Sequence, residues 1–161
     1  MTTQAEIDSF LAPKRFAFVG VSRDSGHFSR AVFREFRKNG YEVIPVRPDA
    51  IEIEGVHSHA ALCELLPPAD CVLVMLPREG IAGAASACIA AGVKRVWFYR
   101  GAGGLDGKAI EDCRTHGIDV IAGECPLMFL PNAGWVHRFH GWLRRISGTY
   151  PATSPAADRS L

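Results

Sequence analysis

At 161 residues and 48% hydrophobic content, the chain has enough material for one core and too little for two of ordinary size. Its formal charge of +1 is spread without long basic or acidic runs, which removes the electrostatic case for nucleic acid or an anionic membrane as partner and favours a small solute. No apolar run approaches the roughly 20 residues of a spanning helix, and the polar start from Met1 to Phe10 lacks the basic and apolar regions of a signal peptide, so a cytoplasmic location is expected.

In chain order, the pattern predicts a short helix around Ala5 to Leu11 and then a strand over Phe16 to Val21, an apolar run of the kind that is buried on both faces. Phe28 to Asn39 follows as a helix, with Phe28, Val32, Phe33 and Phe36 inward and Arg30, Arg34, Arg37 and Lys38 on the opposite side, stopped by Gly40. Tyr41 to Val46 reads as a second strand whose Pro45 restricts it to an end or an edge. A short third strand near Val56 and a short helix over Ala60 to Leu66, stopped by Pro67 and Pro68, come next. The rest of the pattern is a strand over Cys71 to Leu76, a helix over Gly80 to Ala91, a strand over Arg95 to Tyr99, a helix over Leu105 to His116 and a last strand over Ile118 to Ala122. Trp135 to Ile146 carries an apolar stripe at helical spacing, suited either to capping the sheet or to a homodimer contact. One domain over residues 1–150 is expected, with a Pro/Ala/Ser-rich tail over 151–161 expected to be disordered.

This alternation implies an α/β fold: a Rossmann-like, doubly wound, mainly parallel sheet in a three-layer α/β/α arrangement, with ligands bound beyond the carboxyl ends of the strands. The loop after the first strand, Gly20-Val21-Ser22-Arg23-Asp24-Ser25-Gly26-His27, leads into a helix N-terminus, where backbone N–H groups and the helix dipole favour a phosphate. It is neither a Walker loop nor GxGxxG, which disfavours triphosphate hydrolysis and ordinary NAD binding. After the second strand, Arg47 stands where an NAD enzyme usually places an acidic residue, and an arginine there suits a phosphorylated ribose, as in NADP or coenzyme A. Pro77 follows the strand from Cys71, and Phe98, Tyr99 and Arg100 end the strand from Arg95 ahead of a glycine-rich turn, outlining a slot for a long thin chain; Phe98 and Tyr99 read equally well as core aromatics.

The turn Gly123-Glu124-Cys125-Pro126 brings one thiol toward the same edge, and whether Cys125 is reactive stays open, since a nucleophile needs a base that no neighbour in sequence supplies. The five cysteines form no CxxC pair and the histidines lack the spacing of a metal site, so buried thiols and no metal are expected.

These segments in this order resemble the CoA-binding domain family, the Rossmann module that also forms the N-terminal part of the succinyl-CoA synthetase alpha subunit and stands alone in many small bacterial proteins. The resemblance runs from about Arg15 to Pro131 and rests on GVSRDSG in the first loop, IPVRP at the end of the second strand, the LP after the strand from Cys71, the AAGVKRVWFYRG stretch and the ECP turn. It implies that Gly20, Ser22, Arg23, Asp24 and Ser25 form the loop around the cofactor phosphates, that Arg47 lies near the phosphorylated ribose and adenine, and that Pro77, Phe98, Tyr99 and Arg100 lie along the pantetheine arm. Arg100 stands where the synthetase has an acidic residue, and neither the phosphorylated histidine domain nor the beta subunit of the synthetase has a counterpart, so ligase activity is not implied. The resulting expectation is a CoA or acyl-CoA binding protein with no catalytic constellation identified. An NADP-dependent reductase-like enzyme and a regulatory interaction protein with a vestigial nucleotide pocket are the alternatives.

Overall fold

The computed structural model describes residues 2–99 and 104–131. The long apolar runs become β1 (Arg15–Val19), β2 (Glu42–Val46), β5 (Cys71–Val74), β6 (Arg95–Phe98) and β7 (Asp119–Ala122), while β3 (Glu52–Ile53) and β4 (Val56–His57) form a small hairpin. The helices are α1 (Gln4–Leu11), α2 (Phe28–Lys38), α3 (Arg78–Ala90) and α4 (Gly107–Thr115). The main sheet runs β2-β1-β5-β6-β7 with every pairing parallel. The chain therefore moves outward from β1 to β2 and then returns across β1 to begin β5 on its other side. The strand order reverses at this point, and the chain leaves β1 for α2 on one face of the sheet and β5 for α3 on the other, the arrangement that opens a crevice between the two loops.

The period of two along each strand sorts the core into two unlike layers. Phe16, Phe18, Leu73, Trp97 and Ile121 face α1 and α2, joined by Phe10, Phe33 and Phe36. Here the rings meet directly, with Phe16 and Phe36 edge to face at 4.8 Å and Phe10 and Trp97 at 5.3 Å. Ala17, Val72, Val74, Val96, Phe98 and Val120 face the other way, against Ala84, Ala85 and Cys88 of α3 and Ala109 and Cys113 of α4. Thr3 starts α1 with a capping box: its amide donates to Glu6 Oε2 at 2.7 Å, and its Oγ1 accepts from the Glu6 amide at 3.3 Å.

Pro45 lies in the outermost strand, as its missing N–H requires, and its carbonyl accepts from His59 N at 3.0 Å. The segment expected near Val56 as a third strand pairs within its own hairpin, and meets the main sheet just beyond it through one parallel bridge from His59 to Val46 of β2. Its two-residue turn, Glu54-Gly55, has φ of 48° and 79°, positive at both central positions as a type I′ turn demands. The helix expected over Ala60 to Leu66 is not formed. Ala61 and Leu65 are extended and leave one 3-10 turn, Leu62–Glu64, because a stretch this short ahead of two prolines cannot propagate a helix. Arg30, expected on the solvent side of α2, is buried. The stripe over Trp135 to Ile146 and the tail over 151–161 lie outside the described residues.

Candidate functional site

The crevice begins at Gly20. Its φ of +94° is a conformation that L side chains rarely adopt. A Cβ there would also run into the Met75 carbonyl oxygen and approach Leu76 Cδ2 to 2.8 Å, so β1 and the end of β5 come this close only because Gly20 has no side chain. Val21 is then fully buried, and the chain emerges as an exposed loop over Arg23 to His27 before entering α2.

This loop is built from hydrogen bonds between its own polar residues. Ser22 N donates to Ser29 Oγ at 2.9 Å, Asp24 N to Ser22 Oγ at 3.0 Å, and Gly26 N to Asp24 Oδ1 at 2.9 Å. His27 caps α2 by accepting at Nδ1 from Ser29 N at 3.2 Å. Because Nδ1 accepts from Ser29 N, it is unprotonated, so the imidazole proton is assigned to Nε2 and the Ser29 hydroxyl donates to Nδ1 at 2.8 Å.

Beneath the loop lies a residue that the sequence pattern placed on the opposite side. Arg30 donates from Nη1 to the carbonyls of Ser22 and Arg23 at 3.1 and 3.2 Å. Its Nε and Nη2 reach Glu54 Oε1 at 3.1 and 2.7 Å. Arg34 Nε donates to the same oxygen at 2.7 Å, and Arg37 Nη1 donates to the Glu54 carbonyl at 3.1 Å. The β3–β4 hairpin is thereby fastened to α2, and the loop after β1 is held through Arg30. The Arg34 hydrogen bond, followed by the Arg30 contacts, outweighs partial burial and holds the Glu54 carboxyl below its ordinary range.

Arg47, at the end of β2, crosses to β1: Nη1 donates to the Val21 carbonyl at 3.0 Å and Nη2 to Asp49 Oδ2 at 3.0 Å. Arg23 Nη1 stands 3.6 Å from the same Asp49 oxygen. Two of the arginines selected from sequence therefore meet, and they meet around a carboxylate that was not selected. The hydrogen bond from Arg47 lowers the Asp49 carboxyl below its ordinary range, against a smaller opposing effect of desolvation.

On the other side of the crevice, Pro77 is exposed and serves as N-cap of α3. Tyr99 is half-buried with its ring 5.7 Å from Phe28 at the start of α2. Burial, and then the neighbouring Cys125 thiol, push the Tyr99 phenol upward. Phe98 points into the α3–α4 layer with no exposed surface, so in this conformation its ring lines no groove. Arg100 lies outside the described residues. The Trp97 indole donates to the Glu124 carbonyl at 3.0 Å and so secures the turn that carries Cys125 beside Tyr99. Among the described residues, no group of three or more His, Cys, Asp or Glu side chains is placed to hold a metal ion. No helix among them is long and apolar enough to cross a membrane.

Residues 14–131 match the model of the CoA binding domain along their whole length. The chain belongs to this family. An uncharacterized protein of Bacillus subtilis, YneT, is 31% identical over 124 residues, covering 76% of this chain and 90% of its own length. The alpha subunit of an ADP-forming acetate–CoA ligase II from Pyrococcus furiosus is 25% identical over 128 residues, but these are 74% of this chain and only 28% of that subunit. Among solved structures, a Thermus thermophilus protein superposes with a TM-score of 0.68 at 26% identity, over 77% of this chain and 93% of that one. Membership of the CoA-binding domain family accords with the doubly wound architecture.

Proposed function

We propose that this chain binds coenzyme A or an acyl-CoA across the carboxyl ends of β1, β5 and β6. The observation that carries the proposal is the convergence of Arg23 and Arg47, from the loops after β1 and β2, beside a loop that opens the N-terminus of α2, in a member of the CoA-binding domain family. In this reading Ser22, Arg23, Asp24 and Ser25 surround the pyrophosphate, aided by the positive end of an eleven-residue helix. Arg47 and Arg23 meet the phosphorylated ribose, since both can offer a planar set of donors to a phosphate. Pro77 and Tyr99 border the pantetheine arm, and the thiol end of the cofactor runs toward Cys125. Gly20 supplies the clearance, and Phe98 contributes by packing from beneath.

Titration calorimetry with CoA, dephospho-CoA, NADP and NAD at one salt concentration tests this reading. CoA is expected to bind more tightly than dephospho-CoA, and Arg47→Ala is expected to reduce that preference. Binding of NADP without CoA would overturn the CoA assignment and favour a reductase-like role, for which Arg47 is equally suited. No binding of any of the four, together with a stable complex recovered from extract, would instead indicate an interaction protein with a vestigial pocket.

A further inference from the structure

Two donors of the Arg47 guanidinium are already engaged. Nη1 holds the Val21 carbonyl at 3.0 Å and Nη2 holds Asp49 Oδ2 at 3.0 Å, while the buried Nε lies beside Asp49 Oδ1 in an ion pair without a hydrogen bond. The edge formed by Nε and Nη2 is the one an arginine presents to both oxygens of a carboxylate or phosphate. Arg23 approaches Asp49 Oδ2 from the β1 loop at 3.6 Å, so the carboxylate sits between two guanidinium groups as a phosphate would. The side chains of Asp49 and Arg23 are 50% and 66% exposed, which leaves the arrangement open to an incoming ligand.

We infer that Asp49 is a specificity-determining residue that competes with the ribose phosphate for the Arg47–Arg23 pair. This inference rests on the CoA-binding reading and deepens it. With Asp49 present, two arginines and one carboxylate leave a single net positive charge at this end of the crevice. A ligand bearing a 3′-phosphate must displace the carboxylate from Arg47 and then tolerate it nearby. A ligand with an unphosphorylated ribose meets no such opposition, because a carboxylate at the end of the second strand can accept a hydrogen bond from a ribose hydroxyl. Asp49 therefore narrows the preference for CoA over dephospho-CoA that the two arginines would otherwise impose.

The test is calorimetric titration of CoA and dephospho-CoA into the wild-type chain, Asp49→Asn and Arg23→Gln. Asparagine keeps the shape of the side chain, and the position is half exposed, so a thermal melt should show the fold unchanged. The dephospho-CoA to CoA ratio of dissociation constants is expected to rise about tenfold in Asp49→Asn, the scale of one like-charge contact with a phosphate dianion at an exposed site. The gain should come mainly from tighter CoA binding, and Arg23→Gln should move the ratio the other way. If both ligands bind and the ratio in Asp49→Asn is unchanged or falls, the competition is wrong while the CoA-binding reading stands. Equal weakening of both ligands would likewise overturn it, showing that Asp49 only shapes the loop. If neither ligand binds any of the three proteins, the CoA-binding reading fails and the inference fails with it.

Discussion

Replacing Glu54 by alanine asks whether the hairpin and the loop after β1 are joined through charge. In the wild-type chain the Arg30 side chain is 10% exposed and shares the Glu54 carboxylate, itself 23% exposed, with Arg34. Removing one partner of a buried pair costs about 3–5 kcal/mol, because the surviving charge stays desolvated. The residual exposure of Glu54, and the two carbonyls that Arg30 keeps at Ser22 and Arg23, bring the expected cost to about 2–3 kcal/mol. For a domain of this size that is a fall of about 5–10 °C in Tm by calorimetry. Arg34→Ala, at a half-exposed position, should change Tm little. The double variant Arg30→Met/Glu54→Ala should cost at least about 1 kcal/mol less than the two single changes added together. The Glu54 contribution should also follow its titration. With its folded-state value lowered, the stabilisation is fully present above the ordinary glutamate value of 4.5 and is lost as pH falls below it through the lowered value. Additivity within about 0.5 kcal/mol, or a Glu54→Ala variant that melts with the wild type, would refute the coupling.

Gly20→Ala combines an unfavourable backbone conformation with a collision against the Met75 carbonyl, and should destabilise by about 2–5 kcal/mol in urea titration. Ser29→Ala removes a fully buried hydroxyl that accepts from Ser22 N and donates to the cap at His27; a loss of about 1–3 kcal/mol is expected, with faster amide exchange at Ser22. Trp97→Phe deletes the hydrogen bond to Glu124 and part of the aromatic layer, which should expose the 123–125 turn to protease at concentrations the wild type resists. Thiol labelling near pH 8 should reach exposed Cys63 well before Cys88, which is fully buried and pushed up to about 12 by desolvation. Labelling of Cys88 at the rate of Cys63 in the folded protein would contradict its packing.

Much of the architecture was legible because a strand covered on both faces leaves an unbroken apolar run. FAFV, CVLV and RVWF needed only their flanking turns to be placed. The amphipathic stripe of α2 likewise pointed Val32, Phe33 and Phe36 inward. What escaped depended on partners distant in sequence. Arg30 has the periodicity of a solvent-facing residue, and its burial is made tolerable by a counter-charge, Glu54, on a hairpin 24 positions later, together with the carbonyls of Ser22 and Arg23. That hairpin was hard to read because its tight turn uses Glu-Gly, where Asn-Gly or Asp-Gly is the usual signal. At the site, Arg23 and Arg47 were visible as basic residues after successive strands. The carboxylate between them was not, because Asp49 after Arg47-Pro48 has the look of ordinary turn chemistry. The alternation along β6 was readable in principle: it turns Phe98 toward α3 and α4, and leaves Tyr99 beyond the strand end against Phe28.

The unequal construction of the two layers around the sheet sets where this fold has freedom to change. Against α1 and α2, volume is concentrated in a few large rings, so trimming one opens a hole large enough to admit a small apolar guest. Against α3 and α4, alanines and cysteines set the close approach of the helices to the strand valines, with Ile81, Ile110 and Phe98 as the larger groups, and enlargement at an alanine must push a helix off the strands. Drift and redesign should therefore proceed by subtraction on one side and by rigid-body displacement on the other. The crevice borders both kinds of layer, with α2 entering it from the ring-filled side and α3 from the alanine-lined side.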